Sequence, residues 1–458
     1  MQDPLRMSFD ADTSNLYRGP RGTAVKILNR VDRSDAYLDR VLDTEMRNTE
    51  MNELDKGLMN EIVTGVVRWQ MKIDWVLTGF FHGNFTKAET NIKNALRVAL
   101  YQILFLDKVP HSAAVNESVE FIKRLRGQKV ADLVNGVLRN ILRNLENIRY
   151  PDFKENKIQH LAVVESHPTW MVKRWINRFG YDETKKLLAA NNERPDLTLR
   201  VNRLKIDFNY FLSQLEQHQI QFTRSEYLDF FVRVKHMAGI GGSDMFRQGF
   251  FVVQDESAGL VVRLLDPKPG DRVIDMCSAP GGKATFIGEL MKNVGEIVAI
   301  DRYETRLNLV KNACQRLGIA NAHYIAADAA TVQTAPAERV LVDAPCSGLG
   351  VLSKKPDAKW KREPEDLVNL VQIQRAILEN AAKHVKPGGV LVYSTCTTEP
   401  EENYDLIKSF LSDQSEFSIE SASQFVDSRI VSADGYIETF PHRNAMDGSF
   451  AIRLKKAP

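Results

Sequence analysis

The chain has 458 residues, of which 43% are hydrophobic and 26% are charged, with a net charge of +2. These proportions are typical of a soluble globular protein and exclude a disordered or fibrous chain, and the length predicts two or three domains. No uncharged apolar run reaches the roughly 20 residues of a membrane-spanning helix, and the N-terminus lacks the apolar centre of a secretory signal. We therefore expect a cytoplasmic protein with no membrane partner.

Charge is unevenly distributed along the chain. Lys and Arg outnumber Asp and Glu by 22 to 19 in residues 1–150 and by 15 to 12 in residues 151–250, whereas residues 251–458 carry 24 basic and 28 acidic side chains. A basic front and an acidic back are compatible with N-terminal segments that bind a polyanion and a C-terminal segment that carries the chemistry. A random imbalance is the alternative interpretation.

The first part of the chain predicts helices. Residues 1–22 are polar and contain two prolines, which is typical of a flexible tail. From residue 23 to 148 apolar residues recur at spacings of three and four, most clearly between Ile92 and Leu104, before Pro110 stops that helix. We predict a compact helical bundle whose apolar stripes form its core.

Residues 149–250 predict a small α/β module. Two helical segments are followed by segments in the order β-α-β-β. Basic and aromatic side chains interleave here and suit RNA contacts, although a solvated face over an aromatic core explains them equally. These side chains are Trp170, Lys173, Arg174, Trp175, Arg178, Arg200, Arg203, Lys205, Phe230, Phe231, Arg233 and Lys235.

Residues 251–458 alternate between short apolar strands and helices. Repeated βα units that are buried on both faces predict an α/β fold with a doubly wound, mostly parallel sheet. In such sheets ligands bind at the carboxyl ends of the strands. The ends of four successive predicted strands carry carboxylates, which together predict a ligand site: Asp275, Asp301, Asp328 and Asp343.

A glycine-containing turn follows the first of these strands. The segment DMCSAPGGKAT, residues 275–285, leads into a helix, and Gly281 and Gly282 allow a ligand to approach the backbone closely. The segment matches neither a GxGxxG fingerprint nor a GxxxxGK[ST] phosphate loop. It predicts a nucleotide-type ligand other than NAD or ATP.

Four cysteines are present: Cys277, Cys314, Cys346 and Cys396. Their spacing fits neither a disulfide framework nor a Cys/His metal site, so we expect reduced thiols and no metal. Cys346 follows a proline and Cys396 follows a threonine, and each comes just after an apolar run. Two such thiols suggest a chemistry that uses both.

Four segments together resemble the S-adenosylmethionine-dependent RNA cytosine-5 methyltransferases of the Sun family. They are DMCSAPGGK at 275–283, DAPCSGLG at 343–350, YSTCTTEPEEN at 393–403 and PHRNAMDGSFAIRL at 441–454. The helical front resembles the NusB-like RNA-binding domain that precedes the catalytic unit in the family's bacterial small-subunit ribosomal RNA enzyme. One departure is Ser449, where the family commonly has an aromatic residue.

The resemblance implies a Rossmann-like methyltransferase domain that binds S-adenosylmethionine, preceded by the NusB-like bundle and the small module. In the cofactor site, Asp301 would lie near the ribose, Asp328 near the adenine and Asp343 at the reacting end. The implied cofactor-binding residues are Cys277, Ser278, Ala279, Pro280, Gly281, Gly282, Lys283, Asp301, Arg306, Asp328 and Asp343.

The resemblance also implies catalytic roles. Cys396 would attack the base and Cys346 would help to release the product. DNA cytosine-5 enzymes use a Pro-Cys thiol, so the spacing alone leaves open which cysteine attacks. We expect protonated Asp343 to donate a hydrogen bond to the ring, and Lys283 to stabilise the thiolate. These four residues are the predicted catalytic group.

The predicted function is therefore methylation of carbon 5 of a cytosine in 16S ribosomal RNA. A transfer RNA cytosine-5 methyltransferase is the alternative with the same chemistry, and a non-catalytic RNA-binding or antitermination factor is the alternative from another class. We expect a monomer that does not act on DNA. The basic segment Lys354–Leu367 is predicted to clasp the RNA backbone, unless it is simply an exposed loop.

Overall fold

The computed structural model describes residues 16–34, 36–235 and 242–458. They form two compact units. The first comprises the described residues up to Glu193 together with Leu352–Lys361, and the second comprises Arg194–Val351 and Arg362–Pro458. Residues 1–15 of the predicted tail lie outside the described residues. Within the described ranges, no helix is both long and apolar enough to cross a membrane.

The first unit is built from helices around a buried core. The helix Thr90–Phe105 is buried along most of its length, and its neighbours pack their apolar faces around it. The helices of this unit are Gly19–Arg33, Leu38–Asn48, Glu53–Arg68, Gln70–Phe80, Thr90–Phe105, His111–Arg126, Gln128–Arg143, Lys157–Val164, Thr169–Phe179, Tyr181–Asn192 and Ala358–Lys361.

The predicted boundary of the N-terminal tail at residue 22 is wrong. The first helix begins at Gly19. Pro20 lies in the first helical turn, where its fixed φ is favourable and its missing N–H costs no hydrogen bond. The proline that suggested a flexible segment therefore belongs to the start of a helix.

The predicted module 149–250 is divided between the two units at Glu193. Its helices, from Lys157 to Asn192, belong to the helical unit. One physical reason is that the Ser166 hydroxyl accepts a hydrogen bond from the Met71 N–H at 3.0 Å, at the start of the helix Gln70–Phe80. Helical periodicity alone did not indicate which unit these helices would join.

The segment Leu352–Lys361 belongs to the helical unit, although it lies between two catalytic motifs in sequence. Lys359 is 1% exposed, and its Nζ donates to the Arg68 carbonyl at 2.8 Å. The Trp360 indole donates to the Val67 carbonyl at 2.7 Å. The predicted RNA clasp is therefore wrong for Lys359 and Trp360, because their polar atoms bind the helical unit.

The second unit begins with a four-stranded antiparallel sheet of order β2-β3-β1-β4. Its elements are β1 (Leu197–Val201), the helix Phe208–Gln217, β2 (Phe222–Arg224), β3 (Phe231–Val234), the helix Asp244–Arg247 and β4 (Phe251–Val253). The sequence missed β2, a strand of three residues. Arg200 is buried in this sheet and Trp175 is buried in the helical unit, so neither offers an exposed RNA contact.

The larger sheet of the second unit has eight strands in the order β10-β12-β9-β8-β5-β6-β7, with β11 paired to β12. Strands β5 to β9 pair in parallel, and β10, β11 and β12 pair antiparallel at one side. The strands are β5 (Arg272–Asp275), β6 (Glu296–Asp301), β7 (Ala322–Ala326), β8 (Ala337–Asp343), β9 (Val385–Thr395), β10 (Phe417–Ile419), β11 (Ile437–Thr439) and β12 (Ser449–Lys456).

Helices accompany the larger sheet, and clusters of buried apolar side chains join strands to helices. These helices are Glu256–Leu265, Gly282–Leu290, Glu304–Leu317, Pro364–Lys383, Tyr404–Asp413 and Pro441–Asn444. The predicted α/β class with a doubly wound, mostly parallel sheet, preceded in the sequence by a helical bundle, is confirmed. The parallel pairing places the carboxyl ends of β5, β6, β7 and β8 at one edge.

Candidate active site

Two thiols meet at the edge of the sheet. The Sγ atoms of Cys346 and Cys396 are 3.2 Å apart, and the Cys396 N–H points to the Cys346 Sγ at 3.4 Å. The contact follows from topology, since β8 and β9 are parallel neighbours with Asp343 opposite Ser394. Each cysteine comes two or three residues after that pair. Cys396 is exposed and Cys346 is half-buried.

A buried carboxylate holds the two cysteine loops together. Glu402 is fully buried and accepts hydrogen bonds from the Ser347 N–H at 2.9 Å and the Ser347 hydroxyl at 2.5 Å. Gln374 donates to the same carboxylate at 2.8 Å. The Ser347 hydroxyl also contacts the Thr397 hydroxyl at 2.7 Å. Residues beside each cysteine are therefore joined directly.

Two glycines allow three motifs to meet behind Cys396. The Gly350 N–H donates to the Cys396 carbonyl at 3.0 Å, and the Gly448 N–H donates to the Gly350 carbonyl at 2.8 Å. A Cβ at Gly350 would lie 1.9 Å from the Gly448 carbonyl oxygen. The glycine of the C-terminal motif thus fixes the backbone next to Cys396.

Lys283 and Asp343 form an ion pair near the thiols. The Lys283 Nζ lies 2.6 Å from one Asp343 oxygen, and the Ser394 hydroxyl donates to the other at 2.9 Å. Burial lowers the pKa of Lys283, but its interactions with Asp343 and Cys396 outweigh burial and raise that pKa overall. Lys283 therefore stays protonated, and its positive charge interacts with Cys396.

Replacing Lys283 with methionine is expected to move the alkylation of Cys396 to higher pH, by about one to three pH units. The ammonium stabilises the thiolate, and the thiolate is the form that reacts. Iodoacetamide labelling of Cys396, followed by mass spectrometry across a pH series, measures this shift. Lys283→Arg is the matched variant that should keep the wild-type profile. An unchanged profile in Lys283→Met would contradict the role of the charge.

The environment of Cys346 favours the protonated thiol. Its pKa is raised well above the ordinary value by the hydrogen bond with Cys396, by burial, and by the charges of Cys396 and Glu402. Cys346 therefore keeps its proton at a pH at which an ordinary cysteine would lose it.

The predicted cofactor loop turns sharply between β5 and the helix Gly282–Leu290. The bond between Ala279 and Pro280 is cis, and Gly281 has φ of +104°, which a glycine adopts without strain. A Cβ at Gly281 would lie 3.0 Å from the Val310 Cα. Burial and the carboxylates of Asp275 and Asp343 raise the pKa of Cys277, which disfavours a nucleophilic thiolate at this position.

The other predicted cofactor residues lie at the same sheet edge. Asp301 ends β6 and is 4% exposed. The Arg306 guanidinium lies 3.6 Å from an Asp301 oxygen and donates to the Ala279 carbonyl at 3.2 Å. Asp328 follows β7 by two residues and accepts from the Ala330 N–H at 2.9 Å. Ser278 is buried within the loop.

Asp275, the first residue of the loop motif, is 1% exposed. Burial, and then the neighbouring Asp343 carboxylate, raise its pKa to about 7. In the unfolded chain the carboxyl group ionises near pH 3.8. Its contribution to stability is therefore fully present below about pH 3.8 and is lost as the pH rises to about 7.

We expect the substitution Asp275→Asn to change the free energy of unfolding more favourably at pH 8 than at pH 4. The amide resembles the protonated acid and removes the cost of burying the anion, which is on the order of 4 kcal/mol. Urea unfolding of both proteins at pH 4, 6 and 8 measures the difference. Asp229→Asn, at an exposed position, is the control. A difference that did not grow with pH would contradict a buried, protonated Asp275.

Three family models match successive parts of the chain. The model described as NusB family matches residues 18–143, a ferredoxin-like domain of RsmF/B-like methyltransferases matches residues 167–240, and 16S rRNA methyltransferase RsmB/F matches residues 262–455. A probable ribosomal RNA small subunit methyltransferase B from Bacillus subtilis is 36% identical over 95% of this chain and 98% of its own length. The chain belongs to the RsmB/F methyltransferase family.

Further relatives agree with this assignment. A ribosomal RNA small subunit methyltransferase B from Klebsiella pneumoniae is 33% identical over 85% of this chain and 89% of its own. The crystal structure of PH0851 covers 96% of this chain and 99% of its own with a TM-score of 0.80 and 28% identity. NSun6 from Pyrococcus horikoshii shares the fold over 64% of this chain and all of its own, at 24% identity and a TM-score of 0.58.

Membership of the RsmB/F family confirms several predictions. The chain is an S-adenosylmethionine-dependent RNA methyltransferase with a NusB-like domain, as the sequence motifs indicated. The family model that matches residues 167–240 describes the small module as ferredoxin-like, which the sequence predicted only as α/β. The roles of the individual site residues stay predictions.

Sequence reasoning missed the residues that hold the RsmB/F thiols in place. Glu402 and Asn403 lie within the quoted YSTCTTEPEEN motif, where they were not given a role. The Asn403 amide donates to the Thr397 carbonyl at 3.0 Å, and its oxygen accepts from Thr395 at 2.6 Å. Gln374 gave no signal, because it lies on a long amphipathic helix with no motif around it.

Proposed function

We propose that this methyltransferase modifies carbon 5 of a cytosine in 16S ribosomal RNA, through a covalent bond between Cys396 and carbon 6 of the base. The observation that carries the proposal is the 3.2 Å contact between the Sγ atoms of Cys346 and Cys396. A reaction in which one thiol attacks carbon 6 of the base and another removes the proton from carbon 5 accounts for the presence of both cysteines. The names of the relatives, which specify the small ribosomal subunit, support the choice of RNA.

Cys396 is the proposed nucleophile. Carbon 5 of cytosine becomes reactive only after a thiolate adds to carbon 6 and turns the ring into an enamine. Cys396 is the more exposed thiol, and the charge of Lys283 interacts with it. Cys346 keeps its proton and donates to the Cys396 sulfur. These features support Cys396, rather than the Pro-Cys thiol, as the attacking group.

Lys283, and not Asp343, is the proposed hydrogen-bond donor to the ring. Asp343 was expected to donate as a neutral acid, but both of its oxygens already accept hydrogen bonds, from Lys283 and Ser394. This arrangement supports a carboxylate. We assign to Lys283 the stabilisation of negative charge that develops on the ring. The Asp343 carboxylate then orients Lys283 and accepts from the exocyclic amino group that distinguishes cytosine from uracil.

Cys346 is the proposed base in the second half of the reaction. Once the Cys396 sulfur is bound to carbon 6 it carries no charge, so the charge of Cys396 and its hydrogen bond no longer raise the pKa of Cys346. Burial and the charge of Glu402 still act on Cys346, but its pKa falls from the value in the free enzyme. Cys346 then loses its proton to water, and its thiolate removes the proton from carbon 5. The electron pair released re-forms the ring double bond and expels Cys396 as a thiolate.

The residues at the sheet edge fit S-adenosylmethionine, which supplies an electrophilic methyl group on a sulfonium. Gly281 and Gly282 leave the backbone accessible before the helix Gly282–Leu290, whose N-terminus favours a carboxylate. Buried Asp301 suits the ribose hydroxyls, and Asp328 suits the adenine amino group. These positions support the cofactor assignments made from the sequence.

Tritium release from 16S ribosomal RNA labelled at carbon 5 of cytosine tests the proposal. Methylation of carbon 5 displaces one tritium for each methyl group transferred, whereas methylation at nitrogen or at a ribose hydroxyl displaces none. We expect equal release and incorporation with unmodified 16S RNA, and little of either with transfer RNA or DNA. Methyl incorporation without tritium release would refute carbon 5, and preferential reaction with transfer RNA would refute the substrate.

A further inference from the structure

An arginine beside the cysteine loops uses only part of its hydrogen-bonding capacity. Arg362 is half-buried and is the first residue of the second unit after the segment Leu352–Lys361. Its Nε donates to the Ser347 carbonyl at 3.1 Å. Within the described ranges, no carboxylate forms an ion pair with Arg362 and no further hydrogen bond involves its two Nη groups. A guanidinium has five N–H donors, so four remain for a ligand or for water.

The residue that anchors Arg362 is itself held firmly. Ser347 is 1% exposed, and its N–H and its hydroxyl both donate to the buried Glu402 carboxylate, at 2.9 and 2.5 Å. The contact at Nε therefore holds the guanidinium next to the residue that follows Cys346. A guanidinium bound at Nε still presents its two Nη groups in one plane, which is the geometry that binds two oxygens of a phosphate.

The carboxylates next to this arginine are used elsewhere. The side chain of Glu363 accepts from the Asp366 N–H, and the Asp366 side chain accepts from the Glu363 N–H at 3.0 Å, at the start of the helix Pro364–Lys383. The Glu402 carboxylate accepts from Ser347 and from the Gln374 amide. A fixed positive charge without a carboxylate partner is therefore present at the loop of the Pro-Cys motif, and it suits an anionic ligand.

We propose that Arg362 binds a phosphate that flanks the target nucleotide of the RNA. A base that reaches the two thiols has left its stack, and its ribose stays joined to one phosphate on each side. A phosphate contact carries no sequence information, but it fixes the position of the nucleotide. The RNA contact expected of the segment Lys354–Leu367 is thus assigned to one residue. The inference rests on the proposed function, because it requires the RNA to be bound at Cys346 and Cys396.

Replacing Arg362 with glutamine removes the charge and keeps an N–H donor for the Ser347 carbonyl. We expect the KM for 16S RNA to rise about 10- to 100-fold, as for a lost charge-assisted hydrogen bond. The kcat should change by less than about threefold, because the phosphate contact is the same before and during the reaction. The slope of log KM against log salt should fall by about 0.7 to 0.9, the value for one phosphate contact. Steady-state methylation across a KCl series measures all three quantities.

Lys383→Gln is the matched control, since it removes the same charge from an exposed position at the other end of the helix Pro364–Lys383. The 20 residues of this helix span about 30 Å, so the control should keep the wild-type KM and salt slope. An equal effect of both substitutions would indicate a general attraction between charges and would overturn the inference. A fall in kcat with an unchanged salt slope would limit Arg362 to supporting Ser347 and would also overturn it.

An RNA that lacks one backbone charge tests the contact directly. Once the methylated cytosine has been mapped, 16S RNA is assembled by ligation with an uncharged methylphosphonate on the 5′ or the 3′ side of that nucleotide. With one of these two RNAs, Arg362→Gln should cause no further rise in KM, because the contact that it removes is already absent. If the substitution raised the KM for both RNAs as much as for normal RNA, Arg362 would not bind a flanking phosphate.

The carboxylate of the methyl donor is the competing anion for Arg362. Isothermal titration calorimetry should give a Kd for S-adenosylhomocysteine within about twofold of wild type in Arg362→Gln, which also reports that the variant is folded. Loss of this binding in a folded variant would assign Arg362 to the cofactor and overturn the inference. If the tritium assay excludes carbon 5 or favours another RNA, the salt series with the RNA that is methylated still tests Arg362, so the two failures are distinguishable.

Discussion

The Cys346→Ala variant is expected to accumulate a covalent complex with RNA, whereas Cys396→Ala is expected to form none. Both should lose turnover by at least about 10⁴-fold, as when a member of a catalytic group that acts as a unit is removed. The two variants lose turnover at different steps. Cys396→Ala cannot form the bond to carbon 6 of the base, whereas Cys346→Ala forms this bond but cannot break it. Comparing these two variants therefore also shows which cysteine attacks the base and which one releases the product.

The physical reason lies in the raised proton affinity of the Cys346 sulfur, which is in contact with Cys396. Cys346 stays protonated because Cys396, burial and Glu402 raise its pKa. Its removal therefore does not take away the attacking thiolate. Removal of Cys396 leaves Cys346 without the Lys283 interaction that favours a thiolate, so the remaining thiol does not take over the attack.

Denaturing gel electrophoresis after incubation with labelled 16S RNA and S-adenosylmethionine measures the adduct. Cys314→Ala is the control, since Cys314 is 1% exposed within the helix Glu304–Leu317, and it should turn over without trapping RNA. The opposite pattern, with an adduct in Cys396→Ala alone, would reverse the assignment. The absence of adducts in both variants would remove the covalent mechanism.

The sequence predicted the parallel strands of the catalytic unit well because each strand is a continuous apolar run ending in a chemically distinctive residue. Asp275, Asp301 and Asp343 end their strands as predicted. Parallel topology then brings side chains that are far apart in sequence to one edge. The position of the site was therefore accessible before any distance was known.

Other features depend on packing that a sequence does not encode locally. Lys359 lies in a basic segment that is typical of an exposed loop, yet it is buried with its Nζ bound to the Arg68 carbonyl. Arg200 was a candidate for RNA contact, and instead its guanidinium is buried and donates to the Gly282 carbonyl in the predicted cofactor loop. The charges of Lys359 and Arg200 predicted exposed side chains. Both are buried instead, because each finds a hydrogen-bond acceptor in a segment that is distant in sequence.

Replacing Glu402 with alanine is expected to lower the rate of methylation on the order of 10²-fold, although Glu402 lies beneath the reacting groups. Its carboxylate binds both polar hydrogens of Ser347, the residue after Cys346, and the Gln374 amide. Loss of the carboxylate leaves buried donors unpaired at about 1–3 kcal/mol each. The Cys346 loop then shifts, and a displacement of about 1 Å is enough for the expected loss.

A specific consequence separates this positioning role from general destabilisation. Because Cys346 acts after the covalent bond has formed, Glu402→Ala should trap part of the RNA as adduct, at a level between those of wild type and Cys346→Ala. Glu402→Gln keeps one acceptor oxygen, so it should trap less and recover part of the rate. Glu365→Ala, at an exposed position on the helix that carries Gln374, should behave as wild type.

Single-turnover methylation and adduct formation, measured on the same samples, decide between the two explanations. A variant that is merely less stable would lose methylation and adduct together, in proportion to the unfolded fraction, and both would return at lower temperature. A displaced Cys346 slows the removal of the carbon-5 proton, so methylated RNA leaves Cys396 slowly and stays bound as the adduct. Loss of methylation without any adduct would therefore contradict the link from Glu402 to Cys346 and would place the effect of the carboxylate on Cys396 itself, through the Ser347 contact with Thr397.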